Sequence, residues 1–101
     1  MQPKEKRKRD REFSQLILAR DNRTCRWCKR SDGRMNTAHL IPREFLPLRW
    51  AECNALCLCF RCHLQWHSNP LSAVRWIRQE LGEEKCNELL GQYDSSITER
   101  A

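Results

Sequence analysis

Apolar side chains recur along the chain at spacings that predict short helices and strands. In the N-terminal part, a three-to-four spacing of apolar residues predicts a helix over residues 11–20. Two short apolar runs, residues 35–41 and 54–58, are predicted to form strands. A helix is expected to begin at Cys59 or Phe60, directly after the second strand.

The last third of the chain is predicted to be helical. Asn69 followed by Pro70 favours the start of a helix, with asparagine as N-cap and proline at the first position, and Gly82 is expected to end it. A second helix is predicted over residues 83–90, followed by a polar tail at residues 94–101. The face expected to be buried in the first of these helices consists of Leu71, Val74, Ile77 and Leu81.

The size and the cysteine content of the chain bound the fold that it can adopt. A chain of 101 residues forms one small domain, which often needs a metal ion or disulfides to stabilise its core. The seven cysteines are an odd number, the chain offers no apolar signal stretch, and no apolar run is long enough for a membrane span. We therefore expect a reducing, cytoplasmic setting in which Cys53, Cys57 and Cys86 are buried free thiols.

Positive charge is concentrated in the first seventy residues. Residues 1–70 hold fifteen basic and seven acidic side chains, whereas residues 71–101 hold four basic and six acidic ones. Such a distribution is typical of a protein that binds a polyanion. Residues 1–11 are expected to form a flexible arm that contacts phosphates, with a nuclear address or a solvated helix start as the alternatives. Its basic side chains are Lys4, Lys6, Arg7, Lys8, Arg9 and Arg11.

Two Cys-x-x-Cys pairs, Cys25 with Cys28 and Cys59 with Cys62, have the spacing of metal ligands. Together they supply four thiolates, which fill the tetrahedral shell of a structural zinc ion. Cys57 could replace Cys59, but the two-residue gap of the second pair then no longer matches that of the first. A redox role for the first pair would require a βαβ pattern around it, which the sequence lacks.

The three histidines and one asparagine surround the second cysteine pair. His63 and His67 are four residues apart, so on a helix they share one face and can bind one ion. A zinc protease would need glutamate after the first of them, where Leu64 stands. His39 lies in the first predicted strand and Asn54 begins the second. A single histidine beside an apolar strand is more often a packing residue, and a single asparagine is more often a turn residue. The functional interpretation of His39 and Asn54 therefore depends on their order and spacing relative to the other motif residues.

This order of residues resembles the HNH, or ββα-metal, endonucleases. The family pattern is a His-hydrophobic-hydrophobic-Pro strand end, here beginning at His39, then an asparagine, here Asn54, and then a helix with metal-binding histidines. In the zinc-knuckle branch the asparagine lies five residues before a Cys-x-x-Cys-His, as it does here. The resemblance covers residues 25–69. The stretch Leu48-Arg49-Trp50 before the asparagine, and Asn69-Pro70 after the helix, are similar to small phage and prophage members.

The resemblance implies an α+β fold: a small zinc-stapled ββα-metal core with flanking N- and C-terminal helices. The expected organisation is a basic flexible arm at 1–11, a single nuclease domain at 12–93 with its core at 25–69, and a polar tail at 94–101. The implied setting is the cytoplasm of a bacterial or phage-infected cell.

The resemblance also implies a role for each residue of the motif. His39 would be the general base that activates water, Asn54 would orient it through backbone hydrogen bonds, and Arg43 would clamp a phosphate. His63 and His67 would hold one divalent cation, such as Mg²⁺ or Mn²⁺, beside the structural Zn²⁺.

The implied activity is hydrolysis of phosphodiester bonds in DNA, by nicking or cleaving, with contacts mainly to the phosphate backbone. The chain departs from the family at Ala38, where members often have an aspartate or histidine that binds the metal. The alternative is a non-catalytic zinc-dependent DNA-binding module, or an accessory module of phage packaging or recombination that contacts phage DNA-processing proteins.

Overall fold

The computed structural model describes the backbone of residues 1–100 and the side chains of residues 1–94. The described chain is a small α+β protein with two antiparallel strands and five α-helices. The elements are α1 (Pro3–Arg20), β1 (Met35–His39), α2 (Leu46–Arg49), a 3₁₀ turn (Glu52–Asn54), β2 (Ala55–Cys59), α3 (Phe60–Ser68), α4 (Pro70–Leu81) and α5 (Glu83–Arg100). No helix among these residues is both long and apolar enough to cross a membrane.

The two predicted strands form one hairpin, in which Met35 pairs with Cys59 and His39 pairs with Ala55. Strand β1 ends at His39, two residues before the predicted end. The chain leaves the β-ladder after His39 because the Asn54 side chain forms hydrogen bonds with the backbone N–H and the carbonyl oxygen of Ile41. Helix α3 begins at Phe60, as predicted, directly after β2.

Helix α1 begins at Pro3, so the expectation of a helix confined to residues 11–20 is wrong, and residues 3–11 are helical. Proline suits the first helical position, where no backbone hydrogen bond is lost. Tertiary contacts then hold this first half of the helix. Asp10 forms an ion pair with Arg49 in the segment between the strands.

Helix α1 packs on one face of the hairpin. Ile17 is fully buried and contacts Phe13 and Ala55, with Trp50 against the same cluster. The backbone N–H of Cys57 donates to the Asp21 carboxylate at 3.0 Å, which joins the end of α1 to β2. This packing orders both the hairpin and the segment that connects its strands.

The described chain divides into two compact units, with the boundary after Leu64. In the second unit, α4 packs with α5, and the predicted start of α4 is confirmed because Asn69 Oδ1 accepts a hydrogen bond from the N–H of Ser72. Gly82 follows α4 with a φ of 89°, a conformation that favours glycine. The predicted single domain over residues 12–93 stays a prediction.

The predicted buried face of α4 is wrong in its first half: Leu71 is 84% exposed and Val74 is 48% exposed, whereas Ala73 is buried. In its second half, Ile77 and Leu81 are half-buried. The aromatic pair of Trp66 and Trp76, with ring centroids 6.3 Å apart, fixes the rotation of the helix. Leu71 and Val74 lie five and two residues before Trp76, so the helical turn directs both side chains away from it.

Helix α5 continues to Arg100, so the expectation that it ends near residue 90 is wrong. No proline occurs after Pro70, and nothing in this stretch therefore forbids the helix from continuing. The predicted polar tail, residues 94–101, is helical through Arg100, and its last residue lies outside the described residues.

Candidate functional site

Cys25, Cys28, Cys59 and Cys62 come together as predicted. Their four Sγ atoms all lie within 4.8 Å of one another. A tetrahedral zinc ion with Zn–S bonds of about 2.3 Å requires sulfur atoms about 3.8 Å apart, and the Sγ atoms of Cys28 and Cys59 are 3.7 Å apart. The cluster therefore fits a metal ion with four thiolate ligands, and Cys57 is not part of it.

The backbone around Cys25 prepares its sulfur for a metal. The first cysteine pair lies in a turn closed by two backbone hydrogen bonds. The N–H of Cys25 donates to the carbonyl oxygen of Arg30 at 2.8 Å, and the N–H of Lys29 donates to the carbonyl oxygen of Cys25 at 2.9 Å. Burial alone would raise the pKa of the Cys25 thiol, but backbone N–H groups, first that of Cys28, outweigh it and lower the pKa to about 7. Burial and the neighbouring sulfurs instead raise the pKa of Cys62, so its proton must be released when a metal binds.

The turn that carries Cys25 and Cys28 is hydrogen-bonded to the sheet. The N–H of Arg26 donates to the carbonyl of Cys57 at 2.9 Å, which joins the first cysteine pair to β2. Cys59 ends β2, and Cys62 lies in the first turn of α3. A metal bound by the four sulfurs thus joins the hairpin and the start of α3 to the loop that follows α1.

The three remaining cysteines differ from one another. Cys57 and Cys86 are buried free thiols, as predicted, and burial together with the charge of Asp21 raises the pKa of Cys57 to about 11. Cys53 is exposed, so the expectation that it is buried is wrong. It lies in the short 3₁₀ turn, where the next residue, Asn54, takes the inward position.

His39 is half-buried at the end of β1, and its Nε2 atom is 2.9 Å from the carbonyl oxygen of Arg49. A carbonyl oxygen only accepts hydrogen bonds, so the neutral ring carries its proton on Nε2 and has a lone pair on Nδ1. Burial lowers the pKa of His39, and the charges of Arg43 and Arg49 lower it further against the opposing effects of the Arg49 carbonyl and Asp10. The imidazole is therefore neutral at pH 7.

Asn54 is fully buried, and its side chain joins both ends of the segment between the strands. Its Oδ1 accepts from the N–H of Ile41 at 2.7 Å, and its Nδ2 donates to the carbonyls of Ile41 and Leu48 at 3.0 Å each. The hydrogen bonds to backbone that the sequence analysis expected of Asn54 are present. They fix the chain directly after His39.

The remaining predicted residues are Arg43, on the segment that follows β1, and the two histidines of α3. Arg43 is exposed on the segment after β1, and its charge lowers the pKa of His39, as a nearby cation does. Helix α3 carries His63, which is half-buried, and His67, which is exposed, one helical turn apart. Binding of one ion by these two histidines stays a prediction.

The sequence analysis did not identify the contacts of Asp10. Its carboxylate accepts two hydrogen bonds from Arg49, at 2.9 and 2.6 Å, and one from Trp50 Nε1 at 2.9 Å. The Arg49 hydrogen bond is the largest cause of the lowered pKa of Asp10. Arg9 stacks over the Trp50 ring at 4.1 Å. The only signal for these contacts in the sequence is that Asp10 is an acidic residue within the basic stretch.

A basic cavity of about 380 Å³ lies beside Cys59. Arg30, Arg34 and Arg61 line it, and Arg30 is 3.2 Å from Asp32, which also lines it. With a divalent ion bound, four thiolates would carry a net negative charge, which nearby arginines would help to offset.

Comparisons of the chain with protein families, with curated proteins and with solved structures each find no match.

Proposed function

We propose that this chain is a metal-dependent DNA endonuclease of the HNH, or ββα-metal, type, in which His39 is the general base. The observation that carries the proposal is the hydrogen bond from His39 Nε2 to the Arg49 carbonyl. That bond leaves Nδ1 with a lone pair, while Asn54 fixes the backbone directly after the imidazole. The N–H of any half-buried imidazole needs an acceptor, and the His39 ring also packs 5.8 Å from that of Phe13. The lone pair left on Nδ1 is what a general base requires in addition.

The order of elements supports the same family. Strands β1 and β2 form an antiparallel hairpin that leads directly into α3, and the resemblance implies the same order for a ββα-metal core. His39 lies at the end of the first strand and the two remaining histidines lie on the helix, as the family pattern requires. The cysteine cluster joins the hairpin to the helix, which accounts for a structural zinc in so small a protein.

The proposed reaction is hydrolysis of a phosphodiester bond. Water transfers a proton to Nδ1 of His39 as its oxygen forms a bond to phosphorus, and the bond from phosphorus to the 3′ oxygen breaks. The leaving oxygen takes a proton from solvent. Because the lowered pKa keeps His39 neutral at pH 7, the base is available without prior deprotonation. Arg43 is proposed to hold a phosphate oxygen.

His63 and His67 are the residues proposed to hold the catalytic divalent cation. Two imidazoles one helical turn apart present nitrogen ligands on one face, which divalent transition-metal ions accept more readily than Mg²⁺ does. When bound, the divalent ion would supply electrostatic stabilisation of the negative charge on the phosphate. Ala38 is buried and offers no donor atom, so oxygen atoms of substrate and water would be needed as further ligands.

Only two side chains, His63 and His67, are proposed as ligands of the catalytic ion. This small number favours one competing function, a zinc-dependent DNA-binding module without catalysis. A supercoiled plasmid incubated with the zinc-loaded protein and Mg²⁺ or Mn²⁺ separates the two. The nuclease proposal predicts nicked or linear plasmid with at least one of these ions, and none in EDTA. A protein that shifts the plasmid in a gel but leaves it supercoiled with every ion would support the binding module and contradict the nuclease.

A further inference from the structure

Asp10 is an acidic residue in a stretch of α1 that is otherwise mostly basic, and it contacts the segment between the two strands. It lies 39 residues from Arg49 along the chain, yet the two side chains form a paired hydrogen bond at 2.9 and 2.6 Å. The Arg49 side chain is 13% exposed and that of Asp10 is 24% exposed. A bidentate pair of this kind fixes orientation as well as distance.

The same carboxylate also holds Trp50. Asp10 Oδ1 accepts from Trp50 Nε1 at 2.9 Å, so one carboxylate binds the side chains of two consecutive residues. The peptide group between Arg49 and Trp50 contains the carbonyl oxygen that lies 2.9 Å from His39 Nε2. Asp10 therefore fixes both residues that flank the peptide group to which His39 donates.

Local structure alone gives this carbonyl little support. Helix α2 has four residues, and its N-cap, Phe45, makes no side-chain capping hydrogen bond. So short a helix is unstable without tertiary contacts. Arg49 is its last residue, and the carbonyls at the end of a helix lack partners within the helix, so their direction depends on what holds the segment.

We propose that Asp10 is a positioning residue for His39: by holding Arg49 and Trp50, it fixes the carbonyl that keeps the His39 proton on Nε2 and leaves Nδ1 free. The value of this tautomer for cleavage rests on the proposed function, whereas its dependence on Asp10 does not. The basic end of α1 is then part of the active site, in addition to any contact with phosphates.

Removal of the Asp10 charge has a second consequence at His39. The charged groups that act on the imidazole are Asp10, which raises its pKa, and Arg43 and Arg49, which lower it. Substitution of Asp10 by asparagine leaves the two arginines unopposed. The pKa of His39 should therefore fall in this variant, in addition to the change of tautomer.

The test uses the full-length, zinc-loaded protein with ¹⁵N-labelled histidine. The chain has three histidines, so His39→Gln identifies the signals of position 39. In the wild type, the ¹⁵N shifts should show a proton on Nε2 alone. In Asp10→Asn, the shifts of the two ring nitrogens should move toward each other as both tautomers become populated. Plasmid cleavage with Mn²⁺ should fall by about 10–10²-fold, as expected when a catalytic group loses its orientation.

Glu12→Gln is the matched control, because it removes one negative charge from the same helix. Glu12 is exposed and pairs only loosely with Lys8, at 3.9 Å. The His39 shifts and cleavage should be unchanged in this variant. Arg49→Lys is a second test that keeps the positive charge but removes the paired hydrogen bond, and it should reproduce the mixture of tautomers if Asp10→Asn does not fold.

An unchanged His39 tautomer and pKa in folded Asp10→Asn, or in folded Arg49→Lys, would overturn the positioning role. That outcome is separate from failure of the proposed function. If His39→Gln cleaves plasmid like the wild type while Asp10→Asn still mixes the tautomers, Asp10 positions His39 but His39 is not the base.

Discussion

His39 and Asn54 are both held by backbone of the short segment between the strands. His39 donates to the carbonyl of Arg49, and Asn54 bonds the backbone of Ile41 and Leu48. The imidazole is therefore oriented by groups that cannot ionise, and its proton is on a defined nitrogen. Burial, and then the charges of the nearby arginines, lower its pKa and keep it neutral at pH 7.

Asn54→Ala should lower the free energy of unfolding by about 3 kcal/mol, because the substitution leaves one N–H and two carbonyls without their buried partner. Urea unfolding of the zinc-loaded protein measures this. Exposed Asn87, on α5, provides the control, and Asn87→Ala should change stability by less than about 0.5 kcal/mol. A value for Asn54→Ala as small as that of the control would mean that these hydrogen bonds do not hold the segment.

The rate of cleavage should depend on pH through His39. A base acts when neutral, so kcat/KM should rise with pH through the pKa of His39 and then reach a plateau. Because that pKa lies below the ordinary value of 6.5, the plateau should already be reached near pH 7. A rate that still rises tenfold per pH unit above about pH 7 would contradict a neutral His39 as the base.

The elements could be predicted from the sequence where short-range signals decide them. The start of α3 after β2, the Asn69 cap and the glycine after α4 follow from neighbouring residues. The start of α1 and the first half of the buried face of α4 could not be predicted. Contacts between different elements decide them: the Asp10–Arg49 pair in one case and the Trp66–Trp76 pair in the other.

The same distinction applies to the site. The spacing of the cysteines was sufficient to identify the metal cluster, because each pair lies within one turn of chain. The spacing of His39 and Asn54 identified residues that share one segment. The contribution of Asp10 was missed because the hydrogen bonds that tie it to Arg49 and Trp50 span 39 and 40 residues of chain.

The cysteine cluster should be required for the elements to assemble. Zinc binding by four thiolates contributes about 10–16 kcal/mol in small zinc-dependent domains, which is comparable to the whole stability of a domain. Cys28→Ser should therefore bind zinc weakly and lose most of its ellipticity and its cooperative unfolding. Cys53→Ser, at an exposed cysteine outside the cluster, should retain one zinc per chain by metal analysis and unfold like the wild type. Purified, folded wild-type protein without tightly bound zinc would contradict this role.

On the scale of the whole molecule, positive charge lies in residues 1–70, which also contain the cysteine cluster and His39. Because α1 is helical from Pro3, the basic residues of the predicted arm occupy fixed positions on one element. We propose that this helix contacts DNA phosphates and, through Asp10, orders the site. The two roles use different residues and can be separated.

Removal of three exposed cations from α1 should weaken DNA binding and reduce its salt dependence. Each lost phosphate contact makes the slope of log K against log salt shallower by about 0.9, so the triple variant should change it by about 2–3. The matched control removes three cations from residues 71–101 and should leave the slope unchanged. The variants are Lys4→Gln with Arg7→Gln and Arg11→Gln, and the control is Arg75→Gln with Arg78→Gln and Lys85→Gln. Equal slopes for both would exclude α1 from the DNA contact.

The proposed role of His39 as general base is tested by single-turnover cleavage of supercoiled plasmid by the wild type and by His39→Gln, with DNA affinity measured in parallel. We expect the rate to fall by about 10²–10⁴-fold while affinity stays nearly constant, because a base acts in the transition state more than in binding. Cleavage by His39→Gln at the wild-type rate would show that His39 is not the base.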